Sequence, residues 1–197
     1  MVLGTIVLLF DPLDPISLEA LLDLEESTVR LTLRHLHSII IISEAGGGSV
    51  RLIHPSFHDF LIDENRCNDD NFMVNVSARH TSLAEHCLRV LGTLSPDMCK
   101  IGDSSIRNQD IDLPVRIAKY IPAHVQYACR HWASHLSNSH IRDTILGLLK
   151  EFCSNQLLNW LEVMSLLGEL DSAMTALHSA CSIANVSRLD ILAASTN

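Results

Sequence analysis

Between Ile39 and Ile53 the chain leaves helical spacing for two β-branched runs, IIIIS and SVRLI, separated by EAGGG. A glycine cluster at that point can supply the positive φ of a hairpin turn. Immediately afterwards, in RLIHPSFHDFLID, Phe57, Phe60 and Leu61 recur at i, i+3, i+4, the period of one buried helical face. His54 therefore stands at a strand-to-helix junction. Pro55 is tolerated in a helix's first turn and Ser56 can cap the free N–H groups there, so the junction presents polar groups outward.

On either side of this hairpin the apolar spacing is helical. MVLGTIVLLF reads as a terminal helix, residues 16–24 and 27–39 as two more, the second opened by Ser27 or Thr28 as N-cap. Helix, helix, turn, hairpin, helix is the order of a winged-helix domain, placed at 1–63. The polar stretch DENRCNDDNFMVN makes 64–78 a linker with a short extended segment, FMVNV. An all-α domain fills 79–197, with helices near 79–93, 113–120, 123–137, 141–153, 156–167 and 172–183. Breaks fall at Ser95–Pro96, Ile121–Pro122 and Gly168. The fold class is mostly α, a winged helix followed by a helical domain.

A hydrophobic content of 47% and a mean hydropathy of +0.21 over 197 residues support a substantial core and argue against disorder. The net charge of −9 is uneven: residues 1–63 carry Arg30, Arg34 and Arg51 against nine carboxylates, a net of −6. Such a field repels phosphate backbones and anionic membranes. The six cysteines, Cys67, Cys87, Cys99, Cys129, Cys153 and Cys181, form no C-x-x-C pair and sit mostly in apolar surroundings, as reduced thiols do. A cytoplasmic setting follows. The opening ten residues lack a basic n-region and are too short to span a bilayer.

Catalytic signatures are missing. The sequence holds no G-x-x-x-x-G-K-[ST] loop, G-x-G-x-x-G fingerprint or G-x-S-x-G elbow. His131 and His135, at i, i+4 near Cys129, could share a metal, but no third ligand has a recognisable spacing, and no metal is expected. Cys87 beside His86 is weaker still, since neighbours at i, i+1 point apart on a helix. Trp132 and Trp160 lie in apolar helical patterns and are expected in the core.

The order DPLDPISLEALLDLEESTVRLTLRHLHSIII, then VRLIHPSFHDFLID, then RCNDDNFMVN resembles the winged-helix portion of fungal NACHT-domain proteins, NLR-like members of the STAND class of NTPases. IPAHVQYACRHWASHL and LLNWLEVMSLLGELDSAMTAL are similar to the helical region that follows it in those proteins. The resemblance covers nearly the whole chain, and HPSFHDFL is its most specific part. It implies a regulatory and transmitting piece of a signal-transducing protein of fungal innate immunity. In a parent, a P-loop domain binds ATP or ADP with Mg, and the winged helix closes over the nucleotide at rest. The family pattern H-x-[ST]-F-x-[DE]-F is matched by His54, Ser56, Phe57, Asp59 and Phe60, with Pro55 fixing the junction. By this resemblance His54 approaches the β-phosphate.

The P-loop and Walker B segments are expected to precede Met1, and sensor repeats such as WD40 to follow. The chain alone is then expected to be no enzyme, to hold no cofactor and to bind neither nucleic acid nor membrane. Self-association is expected as well, through apolar side chains from Val2 to Leu9 left in water without the P-loop partner. The rival reading is a winged-helix DNA-binding transcriptional regulator with residues 27–38 as recognition helix and EAGGG as wing. That helix offers only Arg30 and Arg34, preceded by Glu25 and Glu26, so phosphate contacts are scarce.

Overall fold

A computed structural model describes residues 2–42, 48–69, 72–103 and 105–194, with side chains described as far as 183 apart from residue 109. It is mostly helical, with a single two-stranded antiparallel sheet among the described residues. The helices are α1 (Val2–Leu8), α2 (Pro15–Leu22), α3 (Thr28–Leu33), α4 (Pro55–Ile62), α5 (Val76–Leu91), α6 (Leu113–Tyr120), α7 (Ala123–Ser137), α8 (Asp143–Glu151), α9 (Leu157–Leu166) and α10 (Leu170–Ala194). No helix among the described residues is long and apolar enough to cross a membrane.

The hairpin forms where the β-branched runs predict it. Strands β1 (Ile40–Ile42) and β2 (Val50–Leu52) pair with Ile41 opposite Arg51, and Ile53 N–H bonds Ile39 C=O at 2.9 Å. Gly48 takes φ 79, the positive value expected of the glycine cluster, while residues 43–47 of the turn lie outside the described residues. Ile40 and Val50 face inward and are buried, whereas Ile41 is half exposed on the opposite face. The other edge of β2 is met by the chain itself, through Val50 N–H to Leu13 C=O at 2.8 Å.

Several local expectations are corrected. The helix expected over 27–39 is α3, six residues long, because residues 34–39 wind down in tight turns that deliver Ile39 to the hairpin. Ser27 makes no side-chain cap: its φ is 68, and the cap comes instead from Glu19 on α2, which accepts Val29 N–H at 2.9 Å. FMVNV forms no strand: Asn75 is extended, at φ −69 and ψ 100, and the helix begins directly after it. Asn75 accepts Ala78 N–H at 2.9 Å and starts α5 at Val76, since an N-cap side chain there outweighs the β-propensity of two valines. The helices expected over 141–153 and 156–167 are joined by a π-helical turn at Phe152–Gln156, which keeps Phe152 buried. Gly168 breaks the chain as expected, at φ 75, but the helix after it runs to Ala194.

The core is one cluster that passes through both parts of the chain. Antiparallel packing centres on α5 against α7, with α1 and α2 on one side, α8 against α5, and α9 and α10 against α7. Val2, Ile6, Val7 and Leu8 are buried, so the face expected to lie in water is covered by α5, β2 and α3. Trp132 and Trp160 are wholly buried with Phe152, their ring centroids 5.0 to 5.8 Å apart, and Trp160 donates to Cys129 C=O at 3.0 Å. Of the six free thiols, Cys67, Cys87, Cys99 and Cys129 are buried while Cys153 and Cys181 are exposed.

Candidate functional site

His54 is the N-cap residue of α4, with extended backbone at φ −138 and ψ 136. Pro55 then takes the first helical position, where its missing N–H costs nothing. The cap is therefore the imidazole and not the Ser56 hydroxyl that sequence suggested. Ser56 N–H donates to His54 Nδ1 at 3.1 Å, which requires that nitrogen to be unprotonated. The Ser56 hydroxyl lies 2.7 Å from the same Nδ1 and so donates as well. With Nδ1 accepting both bonds, the ring proton of the neutral imidazole sits on Nε2. His54 is exposed, so this Nε2–H is a donor held in a fixed direction at the surface.

The remaining residues of the pattern divide into support and bystanders. Phe57 and Phe60 are half-buried, stack at 6.3 Å and pack on the core, which fixes α4 against the hairpin. Arg66 lies over the Phe60 ring at 5.9 Å. Asp59 does not meet His54: it is exposed and pairs with His58 Nδ1 at 3.1 Å along the helix surface. The structure thus brings together His54, Pro55 and Ser56, places Phe57 and Phe60 beneath them, and turns Asp59 aside.

The two histidines of the spacing on α7 meet different partners, one on the α1–α2 connector and one on α7 itself. His131 Nε2 meets Asp11 Oδ2 at 2.7 Å, His135 Nε2 meets Tyr127 Oη at 2.7 Å, and Cys129 is buried with its thiol pushed up to about 12. Among the described residues no group of three or more His, Cys, Asp or Glu side chains could hold a metal ion. Cys87 is equally buried, with its thiol raised by burial, and a protonated thiol is no nucleophile.

What sequence reasoning missed is a second polar constellation in the seam between α5 and α7. His135 is fully buried; its Nδ1 lies 2.8 Å from Nδ1 of His80, while Tyr127 Oη also accepts Phe10 N–H at 3.3 Å. The Phe10 ring covers the group, its centroid 4.8 Å from His135, 5.4 Å from His131 and 6.0 Å from His80. A signal was present: His135 falls on the same helical stripe as Ala128, Trp132 and Leu136, where a histidine needs internal partners. Nothing in the sequence names those partners.

No family model, curated protein or solved structure matches this chain.

Proposed function

We propose that this chain is the winged-helix and helical module of a NACHT-type, NLR-like signal-transducing protein, in which His54 reports the state of a nucleotide bound by a P-loop domain. The observation that carries the reading is the free Nε2–H of His54, exposed and oriented by two bonds from Ser56. An imidazole so held donates to a phosphate oxygen without the permanent charge that would attract every anion. In this reading residues 1–63 are the closing element, and 79–197 transmit its position through the shared core. Within residues 27–38 the Lys and Arg residues are Arg30 and Arg34, which gives the DNA-binding reading no added support.

The module supplies no phosphate loop, so nucleotide, Mg and sensor repeats belong to the parent protein, and the test uses the chain joined to a P-loop NACHT domain. A hydrogen bond to a charged phosphate oxygen contributes roughly 1.5 to 3 kcal/mol, a shift of about ten- to a hundredfold in the closed-to-open ratio. His54→Ala is expected to speed ADP release by about that factor, while His58→Ala, which faces Asp59, leaves it unchanged. Equal ADP release from wild type and His54→Ala, at matched thermal stability, would remove the reading.

A further inference from the structure

We propose that residues 9–12, in the connector between α1 and α2, form a strap held on the α5–α7 seam by a histidine pair that carries one shared proton, and that acidification opens it, with Leu13 staying bonded to β2 and Asp14 to the head of α2. Requiring a partner for every buried polar group assigns the protons in the seam. Phe10 N–H donates to Tyr127 Oη, and the buried phenol O–H finds its acceptor in His135 Nε2. His135 then carries its proton on Nδ1 and donates it to Nδ1 of His80. The chain runs one way, from the strap to His80, with one proton between the two imidazoles.

An added proton finds no place in it. If His80 is protonated on Nδ1, the His135 proton must move to Nε2, which turns Tyr127 from donor to acceptor and strands its O–H in the interior. A second proton puts two N–H groups head to head across 2.8 Å. Each outcome leaves a buried polar group unsatisfied, and the bond to give way is the weakest in the chain, Phe10 N–H to Tyr127 at 3.3 Å. Phe10 is also the most accessible member, 47% exposed, and can leave without opening the helices.

Among the described residues no carboxylate bonds either imidazole of the pair. From the connector, Asp11 is committed to His131 on the outer side. On α5 and α7 the facing groups are Cys87 and Tyr127, both kept neutral by burial, and His131, which adds positive charge when protonated. The α1 segment VLGTIVL has no titratable side chain, Glu19 of α2 is turned to Val29 N–H, and Glu169 at the head of α10 is held by Arg130 at 2.8 Å. Glu85 of α5 bonds Thr144 on α8. Burial accordingly lowers the proton affinity of both His80 and His135.

The test is amide hydrogen exchange of the whole chain near pH 7.5 and near pH 5, corrected for intrinsic rates, because strap opening is a local event with its own free energy. Peptides covering residues 2–14 are expected to gain about tenfold or more in exchange at the lower pH while α7 keeps its protection. His131→Gln removes the Asp11 pair and is expected to preserve the pH response. His80→Gln retains hydrogen-bonding groups, cannot take up a proton, and is expected to abolish most of it. Should His80→Gln not fold, nitrogen shifts of the wild-type imidazoles read the tautomers directly: Nδ1 of His80 and Nε2 of His135 unprotonated. Unchanged exchange in 2–14, loosening of α7 in step with it, loss of the response in His131→Gln, or the opposite tautomers would each overturn the proposal.

Discussion

At the head of α4, His54 is exposed and both of its hydrogen bonds come from Ser56, two positions along the chain. In the α5–α7 seam, His135 is wholly buried and bonds partners 8 and 55 positions away. The two histidines use the same imidazole chemistry with opposite consequences. A histidine satisfied by its neighbour keeps its second nitrogen available to a ligand and can be altered without disturbing the core. One satisfied across the fold joins distant segments and leaves nothing over for a ligand. Function that depends on an outside molecule is therefore expected at the α4 junction, and mechanical coupling at the seam.

The sharpest way to break this contrast is to truncate an aromatic on each side. Trp160→Ala empties the box shared with Trp132 and Phe152 and removes the donor to Cys129 C=O, and is expected to cost about 3 to 5 kcal/mol in denaturant unfolding. Phe57→Ala, at a half-buried site on the α4 side, is expected to cost about 1 to 2 kcal/mol. Equal losses would mean that the junction is bound into the core as tightly as the seam.

Glu19 tests whether long-range partners also govern the hairpin end. Its carboxylate is buried and accepts Val29 N–H from another helix, replacing the cap that Ser27 does not provide. Glu19→Ala is expected to destabilise by about 1 to 3 kcal/mol, because the N–H is left buried without an acceptor. A Ser27→Ala variant, by contrast, is expected to unfold with the wild type, since no side-chain bond is lost. Denaturant midpoints at constant m-value decide both.

These two residues also show what the sequence could and could not reveal. Elements defined by neighbours were legible: α7 begins and ends at the predicted residues, α6 likewise, Gly168 breaks the chain with φ 75, and the β-branched runs pair around the glycines. Wherever a contact from a distant element decides the outcome, local pattern fails. Ser27 looked like a cap only because Glu19 was out of view, and His131 with His135 looked like a ligand pair only because Asp11 and His80 were. The His54 junction was legible in outline for the same reason, since Pro55 and Ser56 adjoin it. Its tautomer was not, because that depends on which nitrogen the Ser56 N–H reaches.

Acidification separates the two regions gradually, pH unit by pH unit. Burial lowers His80, while burial together with the neighbouring positive charges of His80 and His131 takes His135 down to about 3. The unfolded chain therefore binds protons below the ordinary histidine value of 6.5 that the folded chain refuses. Stability is complete above that value and falls as the pH drops, with the His135 contribution extending to about 3. His135 is expected to contribute a slope of about 1.4 kcal/mol per pH unit in that window, and His80 adds to it in the same direction. His135→Gln is expected to remove its share of the slope; an unchanged profile would show that the seam histidines carry protons in the folded protein.

The smallest effect is the most discriminating, because it divides the two roles of His54. Asparagine is among the best N-cap residues and its short side chain can accept Ser56 N–H, but it cannot place a donor where Nε2–H stands. His54→Asn is expected to unfold within about 0.5 kcal/mol of wild type, whereas His54→Ala loses the cap and about 1 kcal/mol. If His54 matters only as the local brace of α4, the joined protein with asparagine retains ADP as wild type does and only alanine loosens it. If the outward donor is what a phosphate meets, asparagine and alanine release ADP equally fast despite their different stabilities. The second pattern is the expected one, since Nε2 is the only ring nitrogen that Ser56 leaves free.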